Sequence, residues 1–443
     1  MPKSANQFLK PLTQKVNSDG NIEIGGCDLV SLAEKFGTPL YVLDEKTIRA
    51  ICNDYKNAFA SYPNTTIMFA SKALCTQAVT AVMDSEDVGF DTVSGGEIYT
   101  VYKSSVDMKK VLFNGNNKSF DELNLALDLG VGRISVDNFY ELALLSTIAQ
   151  SKNKTVDILL RITPGIECHT HEYIQTGHLD SKFGFDLTQI DDAVDLILGE
   201  YTNLKLHGLH AHIGSQIFES AVYIDEIDIL CKEIARLDEK FNLKLDEINI
   251  GGGLGVKYTS DDTPLSIYDV GKMITDRLNT SVKKYNIAPP ALFLEPGRSM
   301  ISMAGVTLYT VGSSKQVPHG RKYVAVDGGM ADNPRPSLYQ AKYCAEVANK
   351  KDETQNEKVT ICGRYCESGD VLIEEIELPS LNEGDILCVY NTGAYNYSMA
   401  SNYNRVEKPA MVLLNDGEAD EIVVRETLED LIRNDVIPDR LKK

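Results

Sequence analysis

TTIMFA (65–70), DVGFDT (87–92), KVLFN (110–114) and RISVD (133–137) recur at even intervals along the chain. Each is a β-branched and apolar run of strand length, and a longer stretch with apolar residues every three or four positions follows it. The alternation continues through TVDILLRI (155–162), LHGLHAHI (206–213), DEINI (246–250) and ALFLE (291–295). Helical spacing falls on 95–102, 138–150, 190–198, 221–241 and 267–285, as in Leu142, Leu145 and Ala149. Eight strands alternating with helices predict an α/β fold, a parallel (β/α)8 barrel of the TIM type. A doubly wound open sheet would normally use fewer strands. A barrel carries its chemistry at the C-terminal ends of its strands, so those ends are where candidate residues belong.

Outside this region the texture changes. Beyond 299, extended runs dominate: GVTLYTVG, RKYVAVD, KVTICG, DVLIEEIEL, DILCVYN, AMVLL and EIVVRE. The last two flank NDGEAD, whose Asp416-Gly417 suits a hairpin turn. NIEIGG, after a Ser-Asp-Gly turn near the N-terminus, is also strand-like. The predicted division is a barrel over 40–298 and a second, mostly β, β-barrel-like domain made of 1–39 and 299–443.

Composition narrows the function. Among 443 residues, 44 Lys and Arg face 64 Asp and Glu, a net charge of −20. That total lacks the basic face a nucleic-acid or anionic-membrane binder needs, so neither partner is expected. No run approaches the ~18 apolar residues of a membrane span, and the first residues lack the apolar core of a secretory signal. Nine cysteines, odd in number, scattered and without a CxxC pair, fit reduced thiols in a cytoplasm.

Several strand ends carry reactive groups. Lys72 follows the first strand. Alone it would be a solvated turn lysine; at a barrel mouth, desolvation would lower its pKa and ready it for a Schiff base. On the sixth strand, period-two alternation puts His210 and His212 on one face and His207 on the other. The pair suits a polar interior layer, a metal pair, or a ring stacked on a planar cofactor. No further ligand set is evident, so no metal is expected. Gly251-Gly252-Gly253-Leu254-Gly255 fails both dinucleotide spacings and the P-loop pattern. Its place after the seventh strand still suits backbone N–H groups near a phosphate, with Ser215 adding a hydroxyl. Glu295 ends the eighth strand, where a protonated ring nitrogen would satisfy a buried carboxylate, and Arg298 offers a fork for phosphate or carboxylate. An amine, an acid, a flat ring and a glycine cradle together describe what pyridoxal 5′-phosphate (PLP) requires. In the β domain, Cys366 within CGRYCESGD, Arg335, Pro336 and Tyr339 after RKYVAVDGGM, and Tyr395 within GAY stand out, although each alone reads as a loop residue or a small buried hydrophobe.

Together with SGGE (94–97), TGHLDSKFG (176–184), HAHIGSQ (210–216), GGGLG (251–255), EPGR (295–298), RPSLY (335–339) and CESGD (366–370), these motifs make the chain resemble the fold-type III PLP-dependent decarboxylases. Within that family, it is similar to the branch acting on meso-2,6-diaminopimelate. The resemblance runs from FASKA (69–73) to GAYNYSMASNYN (393–404). It implies an alanine racemase-like barrel plus β domain, in a homodimer whose active sites are shared. It also implies decarboxylation to L-lysine and CO2, the last step of lysine biosynthesis. By the same similarity, Lys72 would carry PLP and His212 would stack on the ring. Glu295 would pair with the pyridine nitrogen. Ser215, Gly253, Gly297 and Arg298 would hold the phosphate, with Tyr395 near it. Arg298, Arg335 and Tyr339, with Tyr395, would grip the substrate. From the partner subunit, Cys366 would donate the proton and Glu367 would recognise the distal amine. Phe69 stands where the family more often has Tyr, and Arg364 where Pro is common. The rival expectations are a related decarboxylase of ornithine, lysine, arginine or carboxynorspermidine, and a non-catalytic homologue that binds a protein partner. Alanine racemase fits less well, since CESGD is foreign to it. The stretch 167–185 is long for a loop and is expected to act as a flap.

Overall fold

Runs that are apolar on both faces become strands covered on both faces, and here they close on themselves. A computed structural model of the protein describes residues 3–165, 181–351 and 353–443. The chain divides into two units, one of Met1–Phe8, Ile48–Lys257 and Asp261–Ile301, the other of Leu9–Thr47, Tyr258–Ser260 and Ser302–Lys443. The first unit holds β1 (Thr65–Ala70), β2 (Gly89–Thr92), β3 (Val111–Phe113), β4 (Arg133–Val136), β5 (Val156–Thr163), β6 (Leu204–His210), β7 (Glu247–Asn249) and β8 (Ala291–Leu294). Each pairs in parallel with the next, and β8 returns to β1 with Leu294 opposite Ile67, so the barrel is closed. Met68, Leu112 and Leu159, from β1, β3 and β5, pack together as an interior layer drawn from alternate strands.

Local sequence explains the helices that follow the strands. Ser94 accepts the Glu97 amide ahead of helix Gly95–Lys103. Ser119 and Glu122 form a capping box ahead of Phe120–Leu129, and Asn138 accepts the Glu141 amide ahead of Phe139–Ser151. The long helices Ala221–Phe241 and Ile267–Tyr285 each end on an Asn in left-handed conformation. Gly208, inside β6, admits no other residue: a Cβ there would sit 1.9 Å from the Glu247 carbonyl oxygen.

The second unit is built on a nine-stranded sheet. Its strand Leu40–Asp44 lies between Gly305–Gln316, antiparallel, and Ala410–Asn415, parallel. The stretch 40–47 therefore runs with the β unit, whereas the sequence reading placed it at the head of the barrel. The reason is that all five residues of the strand are buried in that ladder. The hairpin around Asp416 (φ 50°) and Gly417 (φ 85°) has the two left-handed residues that a tight right-twisting turn needs. Its second strand starts at Glu418 instead of Glu421.

Candidate functional site

Because β1 and β8 are neighbours, the residues leaving their C-terminal ends emerge side by side. Ser71–Ala73 forms one 3-10 turn beyond β1, and the Ala70 amide donates to the Pro296 carbonyl at 3.1 Å. Glu295, 7 % exposed, turns inward at the end of β8. Its Oε1 accepts from Asn249 Nδ2 at 2.7 Å and from Asn114 Nδ2 at 3.1 Å. Asn114 also donates to Asp91 Oδ1 at 2.6 Å, so one amide bridges two buried carboxyl groups. Burial opposes ionisation of Glu295, but His210 beside it and the Lys72 charge outweigh it and hold the carboxyl below its ordinary range. Burial and the Glu295 charge push Asp91 up to about 7, against the pull of Lys72 and Asn114. Of the two carboxyls at the floor of the mouth, Glu295 is thus the more readily ionised and Asp91 the less.

Lys72 is exposed at the end of the first barrel strand. Its charge nonetheless acts on Asp91, Glu97, His210, His212 and Glu295. His210 is buried, with Nδ1 at 2.8 Å from Ser135 Oγ and Nε2 at 3.5 Å from Glu295 Oε2. Strand β6 ends at His210, so His212 leaves the ladder rather than continuing its alternation. His212 Nδ1 accepts the Gly252 amide at 3.3 Å. Burial, with Lys72 and Arg161 nearby, holds this ring well below the ordinary histidine range, which keeps it neutral. His207 is at the other end of the barrel. Its Nε2 lies 2.8 Å from Asp157, its Nδ1 3.1 Å from Asp246, and Arg133 takes both Glu247 oxygens beside it.

The glycine run is explained by close approach. A Cβ on Gly252 would lie 2.2 Å from the Glu295 carbonyl oxygen, and one on Gly253 (φ 105°) 2.5 Å from that of Gly214. Ile217 donates to the Gly253 carbonyl at 2.9 Å, and Gly255 donates back to Ile217 at 3.0 Å. The turn after β7 is thereby fastened to the loop after β6, which carries Ser215. Arg298, itself buried, donates from Nη2 to Ser215 Oγ at 3.2 Å. Gly297 packs against Ala70 at a distance that leaves a Cβ 3.0 Å from the Ala70 Cβ. The first unit so gathers Lys72, His212, Ser215, Gly253, Glu295, Gly297 and Arg298 at adjacent strand ends.

The second unit makes its own arrangement. Arg335, 7 % exposed, begins helix Arg335–Tyr339. It donates from Nη1 to Tyr343 Oη at 2.7 Å and lies over the Tyr258 ring, 4.8 Å from its centroid. Burial would discharge the guanidinium, but the Tyr258 and Tyr343 hydroxyls raise its pKa above the ordinary arginine value. Tyr339, half-buried, closes the same helix. Tyr395 stands at φ 62°, a conformation a bulky residue holds only where its surroundings impose it. Cys366 and Glu367 are exposed on a loop whose Cys366 amide donates to Asn404 Oδ1 at 2.8 Å. Beneath them, Asp332 is buried and accepts from Tyr309 Oη, Tyr365 Oη (3.3 Å) and the Gly329 amide (2.8 Å). Burial pushes Asp332 up to about 7 against those donors.

Asp91, Asn114, Asn249, Asp332, Tyr258 and Tyr343 were not anticipated. Asn114 ends a quoted strand run, and Asp91 and Asn249 each stand one residue before the end of theirs, so the strand-end rule alone would have found them. The tyrosines and Asp332 carry no local signal. Of the expected flap, 167–180 lie outside the described residues, with most of TGHLDSKFG, whereas Phe185 at its end is buried and pairs in parallel with Ile162.

The barrel-mouth donors suit PLP: a lysine for its aldehyde, an ionised carboxylate for a ring nitrogen, a neutral flat ring, and an arginine and serine held together beside a backbone turn too close for any Cβ. The family described as "Pyridoxal-dependent decarboxylase, pyridoxal binding domain" matches residues 45–302. Over 99 % of its length the chain is 47 % identical to diaminopimelate decarboxylase of Synechocystis sp., covering 95 % of that protein. It is 46 % identical to diaminopimelate decarboxylase of Bacillus subtilis, over 96 % of this chain and 97 % of the other. The crystal structure of diaminopimelate decarboxylase from M. jannaschii in co-complex with L-lysine superposes with a TM-score of 0.91 at 35 % identity, covering 98 % of this chain and 100 % of that one. PLP is accordingly the cofactor, and the barrel with its mostly β companion is the fold of these relatives. The chain belongs to the diaminopimelate decarboxylases, within the pyridoxal-dependent decarboxylase family.

Proposed function

We propose that the protein removes one carboxylate from meso-2,6-diaminopimelate, yielding L-lysine and CO2, as the last step of lysine biosynthesis. The observation that carries this is the buried, ionised Glu295 leaving the strand next to the one that presents Lys72. Lys72 would hold PLP, which would supply an electron sink for decarboxylation. Glu295, ionised at any working pH, keeps a proton on the cofactor's ring nitrogen. His212, neutral, offers a flat face without adding positive charge. Ser215, Gly253, Gly297 and Arg298 would hold the phosphate.

Substrate selection follows from charge. Arg335, held cationic in a buried setting, binds the distal carboxylate with Tyr339. A diamine precursor without that carboxylate would bring no anion to the buried Arg335 guanidinium. Glu367 recognises the distal amine and Cys366 returns a proton to the substrate carbon. Both are exposed in the protomer, which supports a homodimer in which each serves the partner's site. A cytoplasmic location is supported by the eight described cysteines, all free thiols. No helix among the described residues is long and apolar enough to cross a membrane.

The test is CO2 release from a panel of amino acids by the holoenzyme, with borohydride reduction to locate the cofactor. Activity on meso-diaminopimelate and a pyridoxyl adduct on Lys72 are expected. Equal or better activity on ornithine would overturn the substrate, and an adduct elsewhere would overturn the role of Lys72.

A further inference from the structure

Cys366 and Arg335 lie far apart in sequence, yet the loops that bear them are one piece of structure. Asp332, 1 % exposed and three positions before Arg335, accepts from the hydroxyl of Tyr365, the residue before Cys366. Asp370, also buried, reaches the opposite way. Its Oδ1 accepts the Met330 amide at 2.7 Å and its Oδ2 the Tyr365 amide at 2.8 Å. Ser337 Oγ, on the Arg335 helix, donates to the Gly369 carbonyl at 2.8 Å, and the Arg364 amide donates to Gly328 at 3.0 Å. Gly329 and Gly363 make room for this: a Cβ on either would fall within 2.4 Å of an Asp370 carboxylate oxygen. An exposed thiol thus stands directly on a buried aromatic anchor, and the anchor's one polar atom is tied to the loop of the substrate-gripping arginine.

A tyrosine used only for packing needs no buried carboxylate for its hydroxyl. Tyr309 already satisfies the other Asp332 oxygen from strand Gly305–Gln316, and Tyr41 donates to the Asp332 carbonyl. The Tyr365 bond adds the connection to the Cys366 loop that those two do not make. We propose that Tyr365, through Asp332, is a positioning residue that sets the Cys366 thiol relative to the Arg335 helix. The inference rests on the reading of Cys366 as the proton donor.

Tyr365→Phe in the holoenzyme keeps the buried ring and deletes the tie. Tyr309→Phe deletes the companion hydroxyl on the same carboxylate and serves as the control. The expected result for Tyr365→Phe is a changed rate of Cys366 alkylation by iodoacetamide, read on the isolated peptide. A fall in kcat of about tenfold, the equivalent of one hydrogen bond, should accompany it with KM nearly unchanged. Tyr309→Phe should lower the melting temperature yet leave alkylation and kcat near wild type. Asp332→Ala, which removes the oxygen that accepts from Tyr365, should as a second variant shift alkylation in the direction of Tyr365→Phe. Wild-type alkylation and kcat in Tyr365→Phe, or equal changes in Tyr309→Phe, would overturn the proposal. Failure of the proton-donor reading shows separately, as unchanged turnover in Cys366→Ala, and that result overturns the catalytic part whatever Tyr365→Phe does.

Discussion

Replacing Asp332 by Asn should change how the protein's stability responds to pH. The carboxyl is buried, and its pKa is raised from the ordinary 3.8 to about 7. A group whose folded pKa lies above its unfolded one binds more protons in the native state, so stability falls as pH rises between the two values. A carboxyl moved that far loses about 4 kcal/mol of folding stability as its proton is removed, at about 1.4 kcal/mol for each tenfold change in proton affinity. Asn can still accept the Gly329 amide and can donate to Tyr309, but it has no proton to lose in this window. The wild type should therefore lose about 4 kcal/mol more than Asp332→Asn on going from about pH 4 to about pH 8. Urea unfolding of both proteins at the two pH values, followed by circular dichroism, gives the comparison, since groups titrating alike in both cancel. Parallel pH dependences would refute the assignment of a raised pKa to this carboxyl.

Two further outcomes follow from the barrel. Glu226 on helix Ala221–Phe241 is completely buried, neither carboxyl oxygen has a hydrogen-bond partner among the described residues, and burial raises its pKa well above the usual range. Glu226→Leu should stabilise the protein by about 1–3 kcal/mol at neutral pH, seen as a higher urea midpoint, and a lower midpoint would count against the reasoning. Glu295→Gln removes the fixed negative charge at the mouth while leaving its two amide neighbours a partner. It should cut CO2 release about a hundredfold with the Lys72 adduct still forming, and near-normal turnover would contradict the role of the charge.

The strands of the barrel were legible because each is apolar on both faces and is followed by a helical period. LYVLD (40–44) fell inside the expected barrel bounds, although it was not among the eight strand runs counted there. Its true partners start at 305 and 410, and no local window contains them. Lys72, Ser215, Glu295 and Arg298 were legible through the strand-end rule. His212 was singled out by alternation, but period two fails there because the ladder stops at His210. Asp332 and Tyr365 were invisible: neither sits in a periodic run, and their meaning is a contact between two loops. A residue whose partner is remote in the chain leaves no trace in its own neighbourhood.

The embedding of Leu40–Asp44 between strands that start at 305 and 410 bears on how the protein is made. A ribosome releases that strand early, then the whole barrel, and only afterwards either of its neighbours. Contacts within the barrel can form while synthesis continues, as domains generally do. The apolar LYVLD segment must meanwhile wait, exposed, for sequence not yet translated, which makes it the natural point for a chaperone to hold the nascent chain.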